Sequence, residues 1–203
     1  MTPAIAIALV VEDDLSLAVM ERVIASIPRP YVITRPFVTR GFGQIKQSVV
    51  KYRQASHVLP HVVLTDLDRA NCPASLRQDW QVSSLPANML FRVAVRTCEA
   101  WVLADRHAFA SFSGVALAKL RFDPDGLAEP KQALINLVRR SRNHRLVNEI
   151  VPAPSSASAT GPLYNIRLTE FVRSHWNPLT AAVNSYSLRR TIARLQTFLI
   201  EPR

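Results

Sequence analysis

Cysteine is almost missing from this chain: Cys72 and Cys98 are the only two in 203 residues. Two isolated thiols build neither a disulfide framework nor a zinc site of paired thiolates, and they fit a reducing, cytoplasmic setting. Long apolar runs are missing too. No stretch approaches the roughly 18 residues that a membrane helix needs, so no membrane role is expected. There is no phosphate loop, because Gly41-Phe-Gly43 is not followed by Gly-Lys-Ser/Thr, which argues against nucleotide hydrolysis by this chain. His57, His61, His107, His144 and His175 are scattered, without metal-ligand spacing and without a serine and an acid to work with, and they read as solvated or capping. No internal repeat is visible. The apolar N-terminus lacks a basic region and runs directly into Glu12-Asp13-Asp14, which predicts a buried strand rather than a cleaved signal segment.

What remains is the composition of a folded domain. Hydrophobic residues make up 48% and charged residues 20%, which excludes a disordered polymer. The length suits one large domain, or a domain with a small appendage, with a core that needs no covalent staple. The net charge is +10, and 21 of the 25 basic residues are arginine, the side chain best shaped for bidentate phosphate contacts. Polyanion binding follows as one reading; a GC-rich genome accounts equally well for arginine over lysine. Distribution adds information, because residues 1–130 carry a net +2 and residues 131–203 a net +8. The positive field is mostly C-terminal.

Ile5 to Val11 reads as a strand, and Leu15, Val19, Val23 and Ile24 recur at helical spacing behind it. Pro28, Pro30 and Pro36 interrupt the pattern, leaving Tyr31 to Thr34 as an edge strand. Gly41-Phe-Gly43 then opens a helix to about Ser56. His61 to Thr65 is short, β-branched and bounded by Pro60 and by Asp66-Leu-Asp68, so it is a strand with acids at its end. Met89 to Val95 is a further strand, leading into a helix from about Cys98 to Phe112. Strands alternating with helices predict an α/β domain over 1–125, with a mainly parallel sheet covered on both faces. Beyond it, 126–203 reads as a basic helical extension packed on the core. It has a short helix around Leu134 to Val138, a Pro/Ser/Ala-rich loop over 151–162, and helices from about Ile166 to Ser174 and Tyr186 to Leu199.

In such sheets, sites form outside the carboxyl ends of the strands. Glu12, Asp66, Asp68 and Glu99 follow three different strands and are expected on one rim. A hard cation such as Mg²⁺ takes carboxylate oxygens from separate segments and leaves room for water and phosphate. Helix capping and first-turn acids account for the same residues without any ligand. Arg92 and Arg96 flank the strand before Glu99, placed either to pair with these acids or to grip phosphate, and Trp101 reads as core.

Two family resemblances start from Val10-Val-Glu-Asp-Asp14. In Val62-Val-Leu-Thr-Asp66, and loosely in Thr97 and Lys119, the chain resembles the receiver domain of two-component response regulators, with Asp66 as phosphoacceptor. However, Asp13 and Asp66 are too far apart for that family, no Met-Pro follows Asp66, no proline follows Lys119, and Asp68 has no part to play. The closer resemblance is to the TOPRIM (topoisomerase-primase) superfamily, in a small family related to the overcoming-lysogenization-defect nucleases. It rests on Glu12, on Asp66-Leu-Asp68, on Asn71-Cys-Pro73, and above all on Glu99-Ala-Trp-Val-Leu-Ala-Asp105. Glu129-Pro-Lys131, Val151-Pro, Gly161-Pro-Leu-Tyr164 and Ser185-Tyr-Ser-Leu-Arg189 extend it along nearly the whole chain. The chain departs from the family at Asp13, where glycine is usual, and at Arg69, where relatives often carry an acid.

The TOPRIM resemblance implies metal-dependent cleavage of DNA or RNA. Asp66 and Asp68 would hold Mg²⁺ or Mn²⁺, and Glu12 would complete the metal shell or act as general acid/base. Glu99 would supply a second metal position and Lys131 would contact the scissile phosphate. Arg96, Arg139, Arg140, Arg142 and Arg145 would neutralise backbone phosphates. Relatives are encoded beside ABC- or RecF-type ATPases in arrangements that point to anti-phage defence, so an ATPase partner and homo-oligomers are expected. The alternative expectation is a non-catalytic module, either an inactive TOPRIM scaffold for such an ATPase or a receiver-like phosphoacceptor.

Overall fold

A computed structural model describes residues 4–39 and 41–198. Four strands, β1 (Ile5–Val11), β2 (Tyr31–Val38), β3 (His61–Asp66) and β4 (Met89–Ala94), form one sheet in the order β2-β1-β3-β4 with every pairing parallel. The runs of β1, β3 and β4 are mostly apolar because both faces of the sheet are buried. Ile7, Leu9, Val62, Leu64 and Leu90 face one layer, and Val10, Val63, Phe91 and Val93 face the other.

The thinner layer is α2 (Phe42–Ala55) and α3 (Pro73–Asp79), which insert Ile45, Val49, Leu76 and Trp80. The thicker layer begins with α1 (Asp14–Ala25), α4 (Cys98–Ala104) and α5 (Arg106–Ser113). It continues through α6 (Pro130–Val138), α7 (His144–Ile150), α8 (Tyr164–Ser174), α9 (Pro178–Asn184) and α10 (Tyr186–Gln196). Their apolar residues join those of α1 and α4 in one continuous cluster. Trp101 and Trp176 lie at its centre, fully buried. The Trp101 indole donates to Ser187 Oγ at 2.6 Å and the Trp176 indole to the Trp101 carbonyl at 3.1 Å, so neither leaves a buried donor without a partner. Truncating either costs about 3–5 kcal/mol.

Several expectations are corrected. The edge strand runs on to Val38, through Pro36, because Thr34 is bulged out of register with β1 and an edge strand tolerates a missing N–H. The helix expected over Cys98 to Phe112 is broken at Asp105. Its backbone there leaves the helical region, and its carboxylate caps α5 through Ala108 N and also accepts from Asn177 N at 2.8 Å. The helix expected to reach Leu199 is described to Gln196, and Leu199 lies outside the described residues. Three short helices, α3, α7 and α9, were not anticipated.

The chain leaves β1 toward one side of the sheet and β3 toward the other. The carboxyl ends of these two neighbours therefore flank an open crevice, the usual position of a site in a doubly wound sheet. On the thick layer, the loop after α7 returns so closely that a Cβ on Gly161 would stand 2.6 Å from the carbonyl oxygen of Glu149. Gly161 N donates to the Ile150 carbonyl and Leu163 N to that of Glu149, which seats the start of α8. Among the described residues, no helix is long and apolar enough to cross a membrane.

Candidate active site

Glu12 follows β1 and turns back onto β3. Its Oε1 accepts from the Thr65 hydroxyl at 2.5 Å and from the Asp66 amide at 2.7 Å. Asp66, the last residue of β3, accepts through Oδ1 from the Cys98 amide at the start of α4, at 3.0 Å. Asp68 sits two residues on, at φ 47°, a left-handed conformation that aspartate adopts more readily than most side chains. This turn is clamped from the far side. Leu67 N and Asp68 N donate to the Arg96 carbonyl, and the Arg96 guanidinium donates to the carbonyls of Asp68 at 3.0 Å and Ala70 at 2.7 Å.

These residues line a cleft of about 320 Å³ that is open to solvent. The segment from Thr97 to Glu99 and the first turn of α6, with Glu129 and Lys131, close its other sides. Six acids line it against three bases, an excess of negative charge in a chain of net +10. A wider cleft of about 650 Å³ opens on the other side of the turn, toward α2 and α3, and shares Asp66, Asp68 and Arg69 with the first. The two aspartates thus stand on a ridge between two hollows.

The crowding shows in the protonation equilibria. Burial pushes the Glu12 carboxyl above its usual range, against the opposing pull of the Thr65 hydroxyl and the Asp66 amide, and the charges of Asp68 and Asp13 push it further. Asp66 is held well above the ordinary carboxylate range, first by burial and then by the charges of Glu12 and Glu99. Asp68 is raised by burial and by Glu99, with Lys131 and Arg69 pulling the other way. Glu12 Oε2, Asp66 Oδ2 and both Asp68 carboxylate oxygens take no hydrogen bond among the described residues.

The other expected site residues fall into two groups. Glu99, Lys131 and Arg96 line the same cleft. Glu99 is 4% exposed and already occupied, accepting from Thr97 Oγ1 at 2.6 Å and from the Tyr164 hydroxyl at 3.0 Å, with Lys131 Nζ at 3.5 Å. It ties α4, α6 and α8 together, with one hydrogen bond on each of its carboxylate oxygens. Burial and the Glu99 carboxylate push the Tyr164 phenol upward, keeping it a donor. Arg139, Arg140, Arg142 and Arg145 are exposed at the far end of α6 and the start of α7, one helix length of about 13 Å from Lys131. They do not approach the acids; Arg145 pairs instead with Glu149 at 3.0 Å.

Sequence reasoning gave no role to Thr65 and Tyr164 and offered Thr97 only for a receiver-like site; all three orient the acids. For Thr65 one signal was present, a hydroxyl next to the acid at the end of an otherwise apolar strand. Asp13 has a local role of its own. Its backbone is extended, at φ −149°, and its side chain caps α1 by accepting from Ser16 N at 2.8 Å, so the position makes no demand for glycine.

Hard oxygen donors, unpartnered lone pairs and surplus negative charge are what a divalent cation requires of a site. Among the described residues, however, no three metal-binding side chains already converge on one point. Lys119, the lysine that a receiver-like site would use, lines a separate cavity beside Leu103, Leu120 and Arg140. No family model, curated protein or solved structure matches this chain.

Proposed function

We propose that this protein is a metal-dependent nuclease whose active centre is the cleft between the carboxyl ends of β1 and β3. The observation that carries this reading is the meeting of Glu12, Asp66 and Asp68. They come from two neighbouring parallel strands, their carboxyls are pushed upward, and several of their oxygens take no hydrogen bond among the described residues. Asp66 and Asp68 would hold Mg²⁺ or Mn²⁺, which when bound activates a water and screens the phosphate charge. Glu12, buried and raised, is suited to carry a proton between water and the leaving oxygen. Thr65 and the Asp66 amide fix the orientation of Glu12, and Cys98 N fixes that of Asp66. Lys131, half exposed on the cleft wall, is positioned to neutralise an incoming phosphate. The substrate strand would cross the ridge between the two hollows.

A non-catalytic scaffold remains the second reading, favoured by the engagement of Glu99 and by the absence of a ready-made metal cage among the described residues. The receiver-like variant of that reading is weakened by the separate location of Lys119. An ATPase partner and a role in defence rest on the family resemblance alone.

The test is incubation of labelled DNA and RNA with the purified protein in Mg²⁺ or Mn²⁺, with and without EDTA. Cleavage that requires metal and disappears in Asp66→Asn/Asp68→Asn supports the reading. Cleavage that survives in a folded double variant rejects the site.

A further inference from the structure

A second charged cluster, apart from the acid cleft, gathers at the outer edge of β4. Arg92 leaves the thick-layer face of β4 and donates through Nε to Thr191 Oγ1 of α10 at 3.2 Å. Thr191 is flanked on α10 by Arg190 and, one turn on, by Arg194, both exposed. From the thinner layer, Arg77 of α3 reaches around the same edge. Its two terminal nitrogens donate to the carbonyls of Phe91 at 3.1 Å and Val82 at 2.9 Å. Four guanidiniums from three elements thus share one edge. Among the described residues none of the four enters an ion pair.

The cluster is costly to the protein that holds it. Burial, and then the charges of Arg77, Arg190 and Arg194, bring Arg92 down to about 10. Arg77 is lowered in the same way, by burial and by Arg194. Guarding an edge strand takes a single charge. Among the described residues Arg190 and Arg194 are exposed and hold no carboxylate, the terminal nitrogens of Arg92 are unspent, and Arg77, tied to two carbonyls, adds its charge behind them. Such a cluster suits the oxyanions of a phosphodiester chain, to which arginine binds bidentately.

We propose that Arg77, Arg92, Arg190 and Arg194 form a seat for the phosphate backbone of a nucleic acid, on the outer edge of β4. The choice of ligand rests on the nuclease reading; the seat itself rests on the arginine geometry.

The experiment is fluorescence anisotropy of the full-length protein with labelled single-stranded and duplex oligonucleotides, in EDTA so that no cleavage can occur. Arg190→Gln/Arg194→Gln removes two exposed side chains that make no hydrogen bond or ion pair among the described residues. The expected result is affinity lowered at least tenfold, with the salt dependence for duplex shallower by about two units of log–log slope. Lys51→Gln/Arg53→Gln removes the same charge from exposed positions on α2 and should change affinity less than threefold. Equal losses in the two variants, or none in the first, would overturn the seat. A parallel arm replaces the oligonucleotide with inorganic phosphate. Stabilisation by free phosphate without oligonucleotide binding would mark a small-anion site and reject the backbone assignment. Binding that follows the arginines in a protein that never cleaves would sink the nuclease reading and leave the seat standing.

Discussion

In the cleft at the ends of β1 and β3, six acids face three bases; at the outer edge of β4, four arginines enter no ion pair among the described residues. Both regions concentrate like charge, and they deal with it differently. The acid cleft answers with protons, because burial and mutual repulsion raise Glu12, Asp66 and Asp68. Arginine holds its proton too firmly for that remedy. The basic edge therefore remains charged, and its neutrality has to come from outside. The contrast is the ground of the two proposals: the acid cleft suits exchange of protons or a cation, and the basic edge suits an anion.

The largest expected effect removes one side of this contrast. Asp66→Asn/Asp68→Asn should lower metal-dependent cleavage by on the order of 10³-fold or more, read as initial rates on labelled oligonucleotide. Thr65→Val keeps the shape and deletes the hydroxyl that favours ionised Glu12, so its carboxyl should rise further. The acidic limb of the pH–rate profile should move upward, with activity near neutrality down about tenfold.

Stability should respond in the opposite direction. An acid whose pKa is higher in the folded than in the unfolded state stabilises the fold when protonated. That advantage fades as pH climbs from the ordinary carboxylate range through the raised value. Melting temperature should therefore fall across that interval in the wild type. Asp66→Asn should flatten the decline and gain roughly 0.5–2 kcal/mol near neutrality, by thermal denaturation. The smallest effect is expected at the basic edge. Arg92→Met relieves a buried, crowded cation, and melting temperature should rise by a few degrees, as when an unpaired buried charge gives way to an apolar group of similar length. A fall instead would show that the hydrogen bond of Arg92 to Thr191 and its packing outweigh the repulsion.

Much of the scaffold was readable from the chain. β1, β3 and β4 are mostly apolar, with Arg92 the one charged residue inside a run, because both of their faces are covered, and the acids that follow them had to share a rim once the sheet was parallel. The helices α3, α7 and α9 escaped notice because each is only 7 residues long, too short for a helical period to register. The break at Asp105 was hidden because what ends the helix is a long-range bond to Asn177. The same holds within the site, where Glu99 looked like a free ligand until Tyr164 and Thr97 were seen to hold it. The arginine edge was invisible for a related reason. Counting charge along the chain singles out 139–145, whereas the cluster draws on residues 77, 92, 190 and 194.

Gly161 shows where the architecture tolerates variation. The surface loop before it is stapled at its two ends, by Gly161 N on the Ile150 carbonyl and Leu163 N on that of Glu149. Extra residues inserted between them would hang outward without disturbing anything beneath. One added methyl at Gly161, however, would collide with backbone, lift the first turn of α8 and withdraw the Tyr164 hydroxyl from Glu99. A change of a single carbon at this buried glycine would thus reach the wall of the cleft, while a dozen new residues in the exposed loop before it would pass unnoticed.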